Sequence, residues 1–463
     1  MKRFVIFFLV LWNASPIWAQ DSLRLGFDDF LLWVKDNHPI SAQAEINLTM
    51  GRMEVRQARG GFDPLIYGNL DQKEFKGTNY YDKREAGVTI PTWMGVEFNG
   101  TFEQNNGTYL NAEGTVPNGG LIAAGASVNL GQGLILDDRR ATLRKAQIYQ
   151  QATEVERANM LNQLYLDATD AYWKWSLAFE NLKVLQEGVK LAEFRFGAIR
   201  KTYQQGDNAA IDTVEAYSQL LNRQYRLQNA QNAFFVARQN LNTFLWDDSS
   251  GNPMELNEGV IPDGLFESFT WVPNEEELRT LIANHPELRI KDFDLASLEI
   301  DRKLKSQQLL PVVKLKYNFI NERFSDLNQY AFFENNYKWG VSVYTPVFLR
   351  KSRGAIGLAK AKIDFKQSDR DLKEIQLRYK LESELNSWMI LNQQIETFKK
   401  NVASLDALFQ GETRRFQIGE SSLFLVNARE VSLFDSRLTL NDLASKLRVS
   451  YAKTRVAAGL GFE

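Results

Sequence analysis

The tetrapeptide NHPI at Asn37-His38-Pro39-Ile40 returns as NHPE at Asn284-His285-Pro286-Glu287, and together they hold the only two histidines in the chain. A rare residue in one repeated context is either a metal site or one structural unit written twice. Asparagine, histidine and proline in that order read as a helix start. Proline fits the first helical position, where its missing N–H would be unpaired anyway. Two histidines without a carboxylate constellation make a poor zinc or iron site. The sequence therefore predicts two helix starts, with no metal and no cofactor.

Working outward from the motif, the alignment of Asn37 with Asn284 runs without a gap to Pro64 and Pro311, both pairs 247 residues apart. Farther on, Gly125-Ala126-Ser127 matches Gly340-Val341-Ser342, and Lys145-Ala146-Gln147-Ile148 matches Lys360-Ala361-Lys362-Ile363, now at a spacing of 215. The first copy thus carries 247 − 215 = 32 extra residues between its proline and the later glycine. Trp175, Ala178, Leu182, Leu185, Val189, Ala192, Phe196, Ile199 and Tyr203 step by three and four. Trp388, Leu391, Ile395, Phe398, Val402, Leu405 and Phe409 follow seven of them 213 residues later. That period of 3.5 marks helices packed side by side in coiled-coil fashion. Each segment runs for about 60 residues, or roughly 90 Å at 1.5 Å per residue. Each ends at a glycine, Gly206 or Gly419, suited to a left-handed C-cap from which the chain turns back into a second helix.

Between the helices the period becomes two. Val313, Leu315, Tyr317 and Phe319 alternate with Lys314, Lys316 and Asn318; Tyr337, Trp339, Val341 and Val343 alternate with Lys338, Gly340 and Ser342. In the first copy Val96, Phe98 and Phe102 alternate with Glu97, Asn99, Thr101 and Glu103, and Ile122 to Leu130 alternates likewise. Such strands suit a soluble sandwich, or a membrane barrel with lipid outside and water inside. The 32-residue excess reads as a further hairpin turning at Pro91-Thr92-Trp93-Met94-Gly95. Four to six strands cannot close a barrel, for which about eight is the practical minimum. The sheet edges must pair with other protomers, giving twelve or eighteen strands in a trimer.

The totals constrain function. A net charge of −2 argues against a nucleic-acid binder, and the absence of cysteine excludes disulfides and thiolate chemistry. Lys2-Arg3, the apolar run Phe4–Trp12 and Ala19 form the anatomy of a secretory signal peptide over residues 1–19. The run is too short to be a membrane anchor. No later apolar run spans a bilayer, so membrane residence requires a barrel.

The doubled helix–strand–helix–helix plan, the segment Gly60-Gly61-Phe62-Asp63-Pro64 before the first strand and the tip Arg415-Phe416-Gln417-Ile418-Gly419 resemble the TolC family of outer-membrane efflux proteins. The resemblance covers the chain from about Leu25 to Gly461. It implies an α+β membrane protein: a trimeric β-barrel in the outer membrane of a Gram-negative bacterium, continued by a long α-helical coiled-coil periplasmic tunnel and built from two internal repeats. Residues 20–246 would form the first repeat, with strands about 62–131 and a helical hairpin about 139–246. Residues 247–273 would be a linker, and 274–463 the second repeat, with strands about 311–346 and a hairpin about 353–458. The implied role is a passive, non-enzymatic exit duct for efflux or type I secretion. Its partners would be a periplasmic adaptor (a membrane fusion protein) and an inner-membrane pump of RND, ABC or MFS type, with outer-membrane lipid around the barrel and no nucleic acid. A structural or adhesive coiled-coil protein of the envelope is the rival reading, which leaves the alternating strands without a use.

Carboxylates just past each tip glycine narrow the tunnel in that family. Here Asp212 and Glu215 stand three apart on one helix face, either as a ring of negative charge or as a solvated surface. The second copy departs from the pattern, with Leu425 and Ala428 at the matching steps and Asn427, Arg429 and Glu430 nearby. Tyr203, Gln205, Gly206, Arg415, Phe416 and Gly419 match the family's adaptor-docking tips, Arg415 being the candidate for a polar contact.

Overall fold

A computed structural model describes residues 24–206, 209–247, 251–267, 271–322 and 336–462. The expected signal peptide and residues 248–250 and 268–270 of the expected linker lie outside the described residues. The first copy runs β1 (Arg24–Leu25), α1 (Phe27–Asn37), α2 (Pro39–Arg59), β2 (Leu65–Phe75), β3 (Thr78–Pro91), β4 (Val96–Asn106), β5 (Leu121–Asn129), α3 (Asp138–Gln205) and α4 (Ala210–Asn242). After β6 (Ile261–Pro262) the second copy runs α5 (Glu275–Leu281), α6 (Pro286–Gln307), β7 (Val312–Asn321), β8 (Tyr337–Tyr344), α7 (Arg350–Gln417) and α8 (Leu423–Ala457).

The two histidines begin α2 and α6. His38 Nδ1 accepts the Ile40 N–H and His285 Nδ1 accepts the Glu287 N–H, each at 3.2 Å. Each bond satisfies an amide that the first helical turn leaves orphaned. An acceptor nitrogen must be unprotonated, and burial lowers the pKa of both rings.

Helices α3 and α7 have 68 residues each, about 100 Å at 1.5 Å per residue. In the upper half, α2 packs on α3, α3 on α6 and α6 on α7. In the lower half the row is α4, α3, α8, α7. Each half is therefore a four-helix arc. Inner α3 buries most of its expected stripe, including Trp175, Val189, Ala192 and Ile199. Of the seven expected positions on α7, only Ile395 is buried and the others are half-covered. The periodicity is the same, but α7 forms the margin of the arc.

Where the halves meet, Phe30, Leu164, Tyr172, Trp175 and Leu241 form the largest core. The Tyr172 hydroxyl donates to the Leu25 carbonyl at 2.7 Å and accepts the Asp263 N–H at 2.9 Å. It thereby ties the parallel pair β1–β6 to α3. The inter-repeat segment is thus anchored to the core rather than being a free tether.

The strands form one open antiparallel sheet in the order β2-β3-β4-β5-β7-β8. Four strands come from the first copy and two from the second, which accounts for the 32 extra residues. The expected turn at Pro91–Gly95 joins β3 to β4, with Gly95 at φ 84°. A second tight turn, absent from the sequence-based expectation, joins β2 to β3 at Lys76-Gly77, with φ of 51° and 72°. Positive φ at both positions matches the right-handed twist of the flanking strands.

The register separates two faces. Ile66, Val88, Gly100, Ala124, Phe319 and Tyr337 pair in one continuous row across all six strands. The adjacent row runs Leu65, Thr89, Asn99, Gly125, Asn318 and Lys338, with Asn99 donating to Asn318 at 3.1 Å. One face is apolar and the other carries amides, hydroxyls and charges. No helix among the described residues is long and apolar enough to cross a membrane.

Candidate gate at the helical tips

The α3–α4 turn is made by Gly206, left-handed at φ 86°, whose N–H bonds the Tyr203 carbonyl at 3.0 Å. The α7–α8 turn uses Gly419 at φ 79°, and Ser422 caps α8 by accepting the Leu425 N–H. Both glycines occupy backbone space that other residues adopt only with strain. Phe416 is half-buried and packs with Phe196 against Ile199, Ala216 and Leu423, which fastens one tip to the other. Tyr203, Gln205 and Arg415 remain exposed, and the Arg415 guanidinium donates to the Glu420 carbonyl of its own turn at 3.4 Å.

Above the tips lies a network of buried charge. Glu430 on α8 is 1% exposed and Arg223 on α4 is 4% exposed, with 3.5 Å between their charged groups. Arg195 on α3 forms a second ion pair with Glu430 and donates to Asn427 Oδ1 at 2.7 Å. Asn427 in turn donates to Glu215 on α4 at 3.1 Å. Burial pushes the Arg223 pKa down, opposed by the Glu430 charge. One level higher, Arg226 meets Asp435 at 2.5 Å, and Arg437 bridges Glu187 of α3 and Asp406 of α7 at 3.3 Å each. The Arg223–Glu430 and Arg195–Glu430 pairs fasten α8 to α4 and α3 through contacts whose separation would strand charge in a dry interface, whereas the outer pairs are solvent-exposed and contribute little.

Three of the five gate candidates come together here: Glu215, Asn427 and Glu430. Asp212 stays outside, half-buried in the first turn of α4, where a carboxylate suits the positive helix end. Arg429 points the other way, its Nε 3.9 Å from Glu412 of α7. Sequence reasoning missed Arg195 and Arg223. Arg223 lies in the buried row Ala216, Leu220, Arg223, Ala230, and Glu430 in the row Leu423, Val426, Glu430, Leu433. A charge at a heptad core position was the available signal, because such a charge needs a partner. Among the described residues no group of three or more His, Asp or Glu could hold a metal ion.

A family model described as outer membrane efflux protein matches residues 97–245 and 278–460, more than half of the chain. No curated protein matches the sequence. Among solved structures the fold is similar to that of CusC, with TM-score 0.68 and 16% identity over 94% of this chain and 92% of that one. It is similar to the outer membrane protein VceC of Vibrio cholerae, with TM-score 0.67 and 14% identity over 94% and 96% of the two chains. The open state of the MtrE outer membrane channel of Neisseria gonorrhoeae gives TM-score 0.68 and 14% identity over 96% and 93%.

Proposed function

Because the chain belongs to the outer membrane efflux protein family, we propose that it is the exit duct of a tripartite efflux or type I secretion machine. It works as a homotrimer that passes cargo delivered by a periplasmic adaptor and an inner-membrane pump of RND, ABC or MFS type. The observation that carries this reading is the state of the protomer's margins. Leu358, Phe365, Leu372 and Tyr379 recur every seven residues on α7, with Phe365 76% and Tyr379 71% exposed. On α2, at the opposite margin, Ile46, Met50 and Met53 are exposed with coiled-coil spacing. Apolar heptad stripes left open at both ends of an arc are satisfied when further copies close it into a ring. The two-faced sheet above the arc, apolar on one side and polar on the other, suits lipid outside and water inside. A coiled-coil envelope stalk has no use for that sheet.

In this duct the Arg195–Glu430–Arg223 network with Asn427 and Glu215 is the latch that keeps α7–α8 against α3–α4 at the periplasmic end. Swinging the second hairpin outward separates α8 from both arginines. Asp212 and Arg429 lie beside the latch and tune the charge near the aperture. The tip residues Tyr203, Gln205, Gly206, Arg415, Phe416 and Gly419 form the adaptor-docking rim. Fractionation tests the reading: a detergent-extracted, heat-modifiable trimer in the outer membrane supports it, and a soluble periplasmic monomer refutes it.

A further inference from the structure

The polar face of the sheet is unevenly charged. Glu85 of β3 and Glu97 and Glu103 of β4 stand on one side of it, and Lys314 and Lys316 of β7 and Lys338 of β8 on the other. Between the two banks runs β5, which offers Ala123, Gly125 and Ser127 to this face and no charge. The banks border one trough of about 440 Å³. An amide bridge forms its floor, with Asn99 of β4 donating to Asn318 of β7 at 3.1 Å across the strand between them. The bridge passes over Gly125, where a Cβ would come within 2.3 Å of Asn318 Oδ1. Glycine at that position is what lets the two amides meet.

Wet strands ordinarily set opposite charges across from each other, because like charges directly opposite destabilise the pair. Asp71 opposite Lys83, farther along this face, follows that rule. The trough breaks it. Glu85 lies directly opposite Glu103, while Lys314 and Lys316 share one face of β7 with Lys338 diagonal to Lys316. Among the described residues Glu97 alone of the six forms an ion pair, with Arg139 of α3 at 2.6 Å. Glu85 accepts the Tyr67 hydroxyl at 2.9 Å, a bond that orients the carboxylate and leaves its charge in place. Strands about 4.8 Å apart hold the β4 and β7 backbones roughly 10 Å from each other, so the banks are separated rather than paired. A concave surface that keeps its charges apart sustains a field across itself. A solute with one charge satisfies one bank and leaves the other without a partner. A solute with one charge of each sign satisfies both.

We propose that this trough is a transit site for amphoteric cargo, small molecules that carry an anionic and a cationic group far enough apart to span it. The anionic group sits at Lys314, Lys316 and Lys338, and the cationic group at Glu85 and Glu103. Glu97, already held by Arg139, closes the end of the trough nearest the helices. The proposal rests on the duct reading, which puts the polar face of the sheet in the lumen, and adds to it the chemical class of solute that the wall retains.

The test uses the full chain in planar bilayers and the capped peptide acetyl-Glu-Gly-Gly-Lys-amide, which has one carboxylate and one ammonium. Two analogues carry glutamine in place of one or the other charged residue. In dilute salt the amphoteric peptide should interrupt the current for about fivefold longer than either analogue, the gain expected of one further solvent-exposed charge contact. The difference should vanish between about 0.1 M and about 1 M salt, as the screening length falls from about 10 Å to about 3 Å. Lys314→Gln/Lys316→Gln/Lys338→Gln should shorten the amphoteric interruptions to those of the analogue that keeps the ammonium. Glu85→Gln/Glu103→Gln should shorten them to those of the analogue that keeps the carboxylate. The peptide and salt comparisons need no variant, so they decide the matter even if a variant fails to assemble. Equal interruption times for the three peptides, no interruptions at all, or assembled variants that leave the amphoteric time unchanged overturn the transit site and leave the duct standing. An unmodified chain that forms no trimeric channel overturns both.

Discussion

Replacing Glu430 with Ala should release the tip. Glu430 balances two arginines, of which Arg223 is buried and Arg195 retains 18% of its side-chain exposure. Removing one partner of a buried ion pair costs about 3–5 kcal/mol, because the remaining charge stays dry and unpaired. Arg195 can turn toward water, so the lower end of that range applies, about 3 kcal/mol, with Arg223 the stranded group. The penalty exists only while α8 is packed against α4 and disappears when the hairpins part. At about 1.4 kcal/mol per tenfold, the closed-to-open ratio should fall roughly a hundredfold. In planar bilayers, Glu430→Ala channels should spend a far larger fraction of time in the high-conductance state than unmodified ones. The double variant Arg223→Met/Glu430→Leu removes the charge pair while filling the space and should recover thermal stability. If Glu430→Ala lowers the melting temperature but leaves conductance unchanged, the network is merely structural and the latch is refuted.

Charge reversal of Arg415 at the exposed tip should reduce adaptor capture in pull-downs without dissolving the trimer; undiminished capture would remove Arg415 from the docking rim. Tyr172→Phe leaves the Asp263 N–H without its acceptor and Leu25 without its donor, so the protein should lose about 1–3 kcal/mol, read as a lower melting temperature. His38 and His285 contribute a pH dependence of defined sign. Their folded pKa values lie below the ordinary 6.5, so the unfolded chain takes up protons first as the solution is acidified. Their stabilisation is complete above about pH 6.5 and is lost as pH falls through the depressed folded values. Melting curves across that window should show the loss, and the double variant His38→Asn/His285→Asn, which keeps a capping acceptor, should flatten it.

The duplication was legible because both copies keep one spacing over long stretches, and a heptad row survives even on α7, which forms the margin of the arc. The added hairpin was visible as a length difference and by its turn at Pro91–Gly95, which joins β3 to β4. The β2–β3 turn at Lys76-Gly77 was not visible, because it lacks the Asn-Gly or Asp-Gly signal, and lysine at φ 51° is a conformation that sequence rarely announces. Gly68 and Ala86 on the apolar face of β2 and β3 also dilute the alternation that marks β7 and β8 clearly. At the tips, counting from Gly206 found Glu215, while Asn427 and Glu430 lay beside the positions counted from Gly419, since these distances are local. Arg195 and Arg223, the partners of Asn427 and Glu430, belong to the other repeat, more than 200 residues away in sequence. Only the packing of α8 on α3, within side-chain reach of α4, brings them together. Asp212 and Glu215 share a helix face in sequence terms, yet only Glu215 reaches α8, because the network begins one turn above the tip.

An image reconstruction of the detergent-extracted protein in lipid nanodiscs tests the central claim most directly. Three copies related by a threefold axis, with a continuous water-filled lumen running from a closed β-wall into a ring of twelve helices, is the result expected from the open margins of the protomer. A monomer whose sheet curls shut on itself, or an assembly whose helices fill their own axis, would contradict it.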